Sequence, residues 1–346
     1  MKATKKSFYS TSRQQLHAIV PLDMPLTVSI EASSACDLRC NFCAMSSQTA
    51  LEERGHVMEN MGDETFAILV DQLKEFPEKF KRVYFCGLGE VLLHPKLPEM
   101  VRTIKQSGIT PEVMIFTNAV NLTHDMSLGL VDAGLDIVTI SVNGLKSEDY
   151  ERNCGRKIDY AKYIEQIRYL YAHKGNLRIN LKTVDIVADS NENQKLFYKY
   201  YGDICDNINI ETISPYMQGV NYQQGKNVKD ISRTSKYSEL NAERHVCSLP
   251  FYKLFVSSRG RVNFCDAING FPFSDLDIRE LKLTEIWNGP VHTEFLINQL
   301  QEINDGTTEM CRGCIQRNNL AFPEEDLDPY AAELVKRILS RSKKND

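Results

Sequence analysis

Apolar and polar positions alternate with two different periods along the first two thirds of the chain. Short runs of strand-forming residues predict six β-strands, at residues 26–31, 83–86, 112–117, 136–141, 177–184 and 208–213, and the first of them alternates with the two-residue period of a strand. Apolar positions three or four residues apart predict helices between them, at residues 63–76, 97–106, 125–133, 158–173 and 192–201. This alternation predicts an α/β fold, specifically a partial (β/α)6 barrel similar to a TIM barrel but open on one side.

The pattern changes near residue 220. A polar stretch is followed by a predicted hairpin over residues 253–264 and by predicted helices over residues 283–303 and 328–342. We therefore predict five segments, which are a loosely packed lead-in (1–25), the barrel (26–220), a linker (221–245), a small α+β unit (246–322) and a C-terminal helix (323–346).

Composition narrows the compartment and the partners. The 346 residues carry a formal net charge of −5 and no broad basic cluster, which argues against nucleic acid as the main partner. We find no secretory signal and no apolar run of membrane-spanning length, so we expect a cytoplasmic protein with no membrane partner. In that reducing compartment, the ten cysteines are expected to be metal ligands or reactive thiols rather than disulfides.

Three cysteines directly follow the first predicted strand. Cys36, Cys40 and Cys43 form a CxxxCxxC triplet, which can bind three irons of a 4Fe-4S cluster and leave the fourth iron open to a substrate or cofactor. The alternative is a zinc site, which needs four nearby ligands. His56, thirteen residues after Cys43, is a weak candidate for the fourth, so the spacing favours a cluster.

A second cysteine group lies in the C-terminal part. Cys247, Cys265, Cys311 and Cys314 form a complete ligand set for one metal centre, and their spacing suits both zinc and a four-iron cluster. Of the others, Cys86 and Cys205 are expected to be packing residues. Cys154 falls in a predicted polar loop between two arginines, where an exposed thiol would be reactive.

The motifs together resemble the radical S-adenosylmethionine (SAM) enzymes over residues 26–215. The triplet includes the family's aromatic residue before the third cysteine, and Gly87-Leu-Gly-Glu90 is similar to its glycine-rich element, with Val91 where proline is usual. The resemblance implies a SAM-binding 4Fe-4S cluster and a set of SAM contacts, which are Phe42, Gly87, Gly89, Glu90, Thr117, Asn118, Ser141, Asn143 and Met217.

The C-terminal part resembles the SPASM/twitch extension of the same family. Gly260 lies between Cys247 and Cys265 at the expected spacing, and Leu283-Thr-Glu-Ile-Trp-Asn288 is typical of the extension. Only one CxxC pair follows, which resembles the shorter twitch form. The resemblance therefore implies one auxiliary 4Fe-4S cluster, with zinc as the alternative.

Activity and substrate follow from the resemblance. It implies reductive cleavage of SAM, with an electron from a donor such as flavodoxin or ferredoxin, to a 5′-deoxyadenosyl radical that abstracts hydrogen from a C–H bond. Because the lead-in is too short for a leader-binding domain, we expect a small sugar or aminocyclitol, which is dehydrogenated or epimerised. The alternative is radical modification of a peptide.

The reaction outcome depends on groups that the sequence identifies only as candidates. Possible bases are Glu211, His245 and Asp266, and a candidate hydrogen donor is Cys154. Since relatives often have arginine at that position, Arg152 or Arg156 is expected to contact the SAM carboxylate instead. A different class, a metal-stabilised scaffold without activity, is disfavoured by the intact cysteine triplet and Glu90.

Overall fold

The chain forms one large sheet flanked by helices. The computed structural model describes residues 1–6, 8, 13–53, 55–213, 236, 243–265, 276–301, 311, 314, 316–319 and 322–345. The strands are β1 Thr4–Lys5, β2 Thr27–Ile30, β3 Arg82–Phe85, β4 Val113–Thr117, β5 Ile137–Ser141, β6 Arg178–Val184, β7 Asn207–Glu211, β8 Lys253–Val256 and β9 Val262–Asn263. The α-helices are α1 Leu16–Ile19, α2 Gln48–Glu53, α3 Asp63–Leu73, α4 Leu97–Ser107, α5 His124–Asp132, α6 Ser147–Cys154, α7 Tyr160–His173, α8 Asn191–Tyr201, α9 Leu283–Asn288, α10 Pro290–Leu300, α11 Gln316–Asn319 and α12 Ala331–Asn345.

The sheet confirms the predicted architecture. The strand order among the described residues is β1-β7-β6-β5-β4-β3-β2-β8-β9, and the six predicted strands β2 to β7 are parallel neighbours in chain order. Consecutive βα units that all wind the same way produce this order. The C-terminal ends of these strands therefore meet at one edge, and the loop containing the cysteine triplet follows β2 at that edge.

The two faces of the strands differ in polarity. On β3, Val83 and Phe85 are fully buried, whereas Arg82 and Tyr84 are half-buried. Because side chains alternate across a strand, the apolar pair packs toward the helices and the polar pair faces the interior of the barrel. The alternation that predicts the strand thus also separates the core face from the cavity face.

The predicted hairpin does not stand apart from the barrel. Strand β8 pairs in parallel with β2, with Thr27 opposite Lys253, and β9 pairs antiparallel with β8. The chain therefore extends the barrel sheet at the β2 edge. The predicted helix 283–303 is two helices, because Pro290 occupies the first turn of α10, where proline starts a helix.

The lead-in is more ordered than predicted. Strand β1 pairs in parallel with β7, so it covers the other edge of the sheet. Leu16 and Val20 are buried in a second apolar cluster with Leu296 and Leu334 of the C-terminal helices. The four-residue spacing of Leu16 and Val20 places both on one side of the segment around α1. In the described part of the chain, every helix is too short or too polar to cross a membrane.

Candidate active site

A cavity of about 700 Å³ occupies the interior of the open barrel. The predicted site residues that border it are Cys36, Cys40, Phe42, Cys43, Gly87, Gly89, Glu90, Thr117, Asn118, Ser141 and Asn143. They come together because each lies on a loop after a strand or at the C-terminal end of one. Met217 lies outside the described residues.

The cysteine loop is anchored to the end of α6 by backbone hydrogen bonds. The Arg39 amide donates to the Cys154 carbonyl at 2.8 Å, and the Asn41 amide donates to the Asn153 carbonyl at 2.8 Å. The Arg39 guanidinium also donates to the Cys36 carbonyl at 2.7 Å. The backbone of this loop is therefore positioned by the protein itself.

The thiols of the triplet require a positive partner to ionise. Burial raises the pKa of Cys43 to about 12, and burial raises the pKa of Cys36 as well. Among the described residues, no three Cys, His, Asp or Glu side chains converge on one point as the ligands of a single ion do. His56 lies with Nε2 3.1 Å from the Ser34 carbonyl oxygen. A cluster binds each thiolate at a separate iron, so the three cysteines fit it without that convergence.

Glu90 is a buried carboxylate beside this loop. It accepts hydrogen bonds from the amides of Leu92 at 3.0 Å and Asn118 at 2.6 Å, and from the Thr117 hydroxyl. Burial nevertheless raises its pKa to about 7. A cationic group in the cavity would lower this pKa again and favour the charged carboxylate.

The turn after β4 orients the groups around Glu90. Ala119 is fully buried and has φ of 59°, a left-handed conformation that is uncommon for alanine. The Ala119 amide donates to the Thr117 hydroxyl at 2.9 Å, and the Val120 amide donates to Oδ1 of Asn118 at 2.8 Å. This turn directs the Asn118 amide toward Glu90.

Asp37 connects the cysteine loop to this turn. Its carboxylate accepts hydrogen bonds from the side-chain amides of Asn118 at 3.1 Å and Asn121 at 2.9 Å. Arg156 also pairs with Asp37, and Arg152 pairs with Asp149 at 2.8 Å. Neither arginine borders the cavity, so the structure does not place either one at the predicted carboxylate contact.

The glycines of the Gly87-Leu-Gly-Glu90 segment allow it to approach the first strand and its loop. A Cβ atom on Gly89 would lie 2.3 Å from the Ser33 carbonyl oxygen and 2.5 Å from that of Ala35. A Cβ on Gly87 would lie 2.6 Å from Cγ of Glu31. Only glycine fits at position 89 without displacing the backbone that leads into the cysteine loop.

An apolar wall adjoins the triplet. Phe42 packs against Ile213, and so does Val184, and all three border the cavity. The sequence predicts Phe42 as an adenine contact but does not single out Val184 or Ile213. Val184 ends β6 and Ile213 closely follows β7. These positions could have identified both residues from the sequence, because side chains at the C-terminal ends of the strands face the cavity.

Cys154 is not the exposed loop thiol that the sequence predicts. It is the last residue of helix α6 and is fully buried, and its thiol lies 3.9 Å from the Asn143 carbonyl oxygen. It also forms a side-chain hydrogen bond with Cys40, which is the leading cause of the raised Cys40 pKa. Gly155 has φ of 67°, a left-handed conformation that ends a helix. Helix α6 therefore continues through Cys154, and the predicted loop is helical. The cavity lining does not include Cys154.

Of the candidate bases, Glu211 borders the cavity. It ends β7 and lies 2.8 Å from Nζ of Lys182 and 3.4 Å from Nζ of Lys236. Burial opposes ionisation, but the two lysines outweigh it and lower the pKa of Glu211. His245 is exposed and does not border the cavity, and Asp266 lies outside the described residues.

The cavity also has basic residues that the sequence did not single out. In the part of the chain that the structure describes, six of them border it, which are Arg13, Lys81, Arg82, Lys182, Lys236 and Lys253. The signal was present on β3, where Arg82 and Tyr84 alternate with buried Val83 and Phe85. What could not be read from the sequence is that the residues from separate strands meet.

The second cysteine group adjoins the first through a shared apolar cluster of Ala44, Met45, Leu51, Leu88 and Leu249. Cys265 is buried in this cluster, and Cys36, Cys43, Cys247 and Cys311 pack against it. Burial raises the pKa of Cys247, and the nearby thiols of Cys314 and Cys311 raise it further. The Cys314 amide donates to the Cys311 carbonyl at 3.2 Å, as in a tight CxxC turn. The donor set fits an iron–sulfur cluster near the first one.

Two family models match the chain. The radical SAM superfamily model matches residues 30–194, and the SPASM model, an iron–sulfur cluster-binding domain, matches residues 247–315. The tungsten-containing aldehyde ferredoxin oxidoreductase cofactor-modifying protein of Pyrococcus furiosus is 35% identical over 116 residues, which cover 34% of this chain and 30% of that protein. The chain matches about a third of the length of such curated relatives.

Solved structures share the fold. Streptococcus suis SuiB bound to S-adenosylmethionine aligns with a TM-score of 0.62 at 17% identity, over 88% of this chain and 74% of that one. BtrN in complex with AdoMet and 2-DOIA aligns with a TM-score of 0.55 at 18% identity, over 84% of this chain and 93% of that one.

Proposed function

Because the chain belongs to the radical SAM superfamily and carries a SPASM iron–sulfur cluster-binding domain, we propose that it abstracts hydrogen from a C–H bond of a small molecule of sugar or aminocyclitol type. Members of the superfamily bind a 4Fe-4S cluster and SAM, and the SPASM domain binds auxiliary iron–sulfur clusters. When bound, the first cluster supplies the electron that cleaves SAM into methionine and a 5′-deoxyadenosyl radical. We propose a single auxiliary cluster held by Cys247, Cys265, Cys311 and Cys314.

The observation that carries the proposal is the cavity. It brings the cysteine triplet, Glu90 and the ends of β4 and β5 to one space of about 700 Å³. Small-molecule sites typically enclose roughly 300 to 1,000 Å³, so this space suits SAM together with a small substrate. A macromolecule would reach the reacting centre only by inserting a segment.

Each side chain then has a role that its surroundings support. Glu90 accepts a hydrogen bond from the amino group of SAM, because its pKa of about 7 leaves it ready to ionise beside a positively charged ligand. Phe42, Val184 and Ile213 offer an apolar surface for the adenine ring and exclude water from it. Thr117 and Asn118 hold Glu90 in place rather than acting independently.

Among the outcomes, dehydrogenation is favoured over epimerisation. Epimerisation needs a hydrogen-atom donor at the substrate, and Cys154 does not border the cavity. Dehydrogenation of an alcohol needs an acceptor for the hydroxyl proton, and Glu211 is an ionised carboxylate at the cavity wall. Cys247, Cys265, Cys311 and Cys314 would hold an auxiliary cluster, which would supply an acceptor for the second electron of the oxidation. Cysteines of both groups contact the shared apolar cluster.

The test is formation of 5′-deoxyadenosine by anaerobically reconstituted, dithionite-reduced protein with SAM. A pool of sugars, nucleotide sugars and aminocyclitols is compared with a pool of ribosomal peptides. We expect the small-molecule pool to raise 5′-deoxyadenosine above the substrate-free background and to yield a carbonyl product two hydrogens lighter than its substrate. A rise with peptides alone would replace this proposal with peptide modification. Replacing dithionite with a flavodoxin or ferredoxin system identifies the class of reductant.

A further inference from the structure

The described residues that border the cavity include more cationic than anionic side chains. Among them are six lysines and arginines and three carboxylates, Glu90, Glu211 and Glu325, whereas the whole chain carries a net charge of −5. Two of the lysines are paired with Glu211, and Arg13 is paired with Glu325. Arg82 is likewise paired with Glu112, which does not border the cavity, so three further cationic side chains of the lining are Lys81, Arg82 and Lys253.

Two of these residues belong to a row across three neighbouring strands. Arg82, Thr27 and Lys253 are the first residues of β3, β2 and β8, and the strand register places Thr27 beside both of the others. All three border the cavity. The row lies at the N-terminal ends of these strands, whereas the cysteine loop follows the C-terminal end of β2. It is therefore at the end of the cavity farther from the proposed SAM site.

Two members of the row, Arg82 and Thr27, have polar side-chain atoms without a hydrogen bond to any described residue. Nε of Arg82 donates to Glu112, and its Nη1 donates to the Tyr84 hydroxyl at 3.3 Å, which fixes the guanidinium plane. Its second terminal nitrogen, Nη2, has no hydrogen bond to any described residue. Oγ1 of Thr27 is buried and has no hydrogen-bond partner in the described part of the chain. An oriented guanidinium, a buried hydroxyl and an ammonium group form a donor set for an anion.

We infer that the row of Thr27, Arg82 and Lys253 binds a phosphate-bearing part of the substrate. This inference rests on the proposed function, because the substrate shares the cavity with SAM. Two strand spacings separate Arg82 from Lys253, roughly 10 Å, so the row spans a diphosphate better than one carboxylate. The stacked rings of Tyr84 and Phe116, with centroids 6.0 Å apart, lie further along the strands toward the cysteines. They provide a surface for the ring that the diphosphate carries.

This inference narrows the substrate class. A free aminocyclitol carries ammonium groups, which Arg82 and Lys253 would repel. A nucleoside diphosphate or a sugar attached to one carries the opposite charge and a ring of suitable size. The substrate is therefore expected to be a phosphorylated or nucleotide-linked sugar.

Binding is measured by calorimetry on the full-length, anaerobically reconstituted protein with SAM present. The probes are uridine diphosphate, inorganic pyrophosphate and the aminocyclitol 2-deoxystreptamine. The variants are Arg82→Gln and Lys253→Gln, and the control is Arg178→Gln, since Arg178 is also the first residue of a parallel strand but is exposed and does not border the cavity. Iron content and thermal melting confirm that each variant is folded.

We expect uridine diphosphate to bind the unaltered protein and the Arg178→Gln control equally, and to bind each of the other variants roughly tenfold to hundredfold more weakly, as when a charged hydrogen-bond donor is lost. Pyrophosphate binding as tight as that of uridine diphosphate would indicate that phosphate alone is recognised, which still supports the row as a phosphate site. Tighter binding of 2-deoxystreptamine, or equal affinity in all variants, would overturn the inference. If the same preparation cleaves SAM but binds neither phosphate probe, the inference fails while the proposed function stands.

Discussion

The close contact at Gly89 gives the sharpest structural prediction. In a Gly89→Ala variant, the new Cβ would lie 2.3, 2.5 and 2.6 Å from backbone atoms of Ser33, Ala35 and Ser34. Since ordinary contact begins at 3.4 Å, one partner must move by about 1 Å. Backbone atoms cannot rotate away as a side chain does, so the segment that leads directly into Cys36 is displaced.

The expected loss of folding stability in this variant follows from overpacking. Inserting a methyl group into a filled site typically costs about 1 to 3 kcal/mol, and the contact with backbone on three sides places this variant at the upper end. With an unfolding entropy of about 2.1 cal/mol/K per residue, each kcal/mol corresponds to roughly 1.4 °C in a chain of this length, so we expect a melting temperature lower by about 4 °C. Because the strain falls on the cysteine loop, we also expect reduced iron incorporation and weaker SAM binding.

Two glycines elsewhere provide matched controls. In a Gly87→Ala variant, the new Cβ would lie 2.6 Å from Cγ of Glu31. Because that side chain can shift, this variant should lose less stability than Gly89→Ala. A Gly62→Ala variant meets nothing within 4 Å and should differ from the unaltered protein by less than about 1 kcal/mol. The assays are iron and sulfide content after reconstitution, SAM affinity and thermal melting. Normal iron content and SAM affinity in Gly89→Ala, or a larger loss in Gly87→Ala, would refute the reasoning.

Three further predictions concern the chemistry of the site. Because burial raises the pKa of Glu90 to about 7, its proton must leave before it can pair with the SAM ammonium group, so SAM affinity should rise as pH increases from about 6 to about 8. Calorimetry should show that Glu90→Gln binds SAM more weakly and without this pH dependence, and a parallel pH dependence in the variant would contradict the role of Glu90. In Cys247→Ala, iron content should fall by about half while 5′-deoxyadenosine still forms, since only the auxiliary cluster is lost; loss of all iron would mean that the two sites are not separate. In Glu211→Gln, SAM cleavage should persist while formation of the dehydrogenated product falls at least about tenfold, and an unchanged product yield measured by mass spectrometry would exclude Glu211 as the proton acceptor.

Local sequence patterns are sufficient for the barrel because each strand and helix carries its own period. The six strands β2 to β7 and their order follow from those periods and from the handedness of βα units. The pairing of β8 with β2 was not predictable, since it joins residues more than two hundred positions apart and depends on the whole sheet being assembled. The same is true of the row formed by Thr27, Arg82 and Lys253.

The site divides in the same way. Cys36 could be predicted as a ligand because the spacing of the triplet reflects its chemistry, whereas Glu90 and Asn118 were predicted only through the resemblance to a family. Cys154 was misplaced because residues 147–154 are mostly polar, and only Tyr150 and Cys154 are buried there. A helix with only two buried residues has a hydrophobic period too weak to detect in the sequence. The burial of Cys154 depends instead on the cysteine loop, which packs against the end of this helix.

The central claim is that the cavity bordered by the cysteine triplet cleaves SAM. The most direct measurement is the yield of 5′-deoxyadenosine and methionine from anaerobically reconstituted, reduced protein, compared with Cys40→Ala and with Cys205→Ala. Cys205 is a matched control, because it is also buried but does not border the cavity, and its thiol lies 3.2 Å from the Tyr201 carbonyl oxygen. The account predicts that the unaltered protein and the Cys205→Ala variant form the same amounts of 5′-deoxyadenosine and methionine. It predicts that Cys40→Ala forms neither. No cleavage by the unaltered protein, or the same yield from Cys40→Ala, would contradict it.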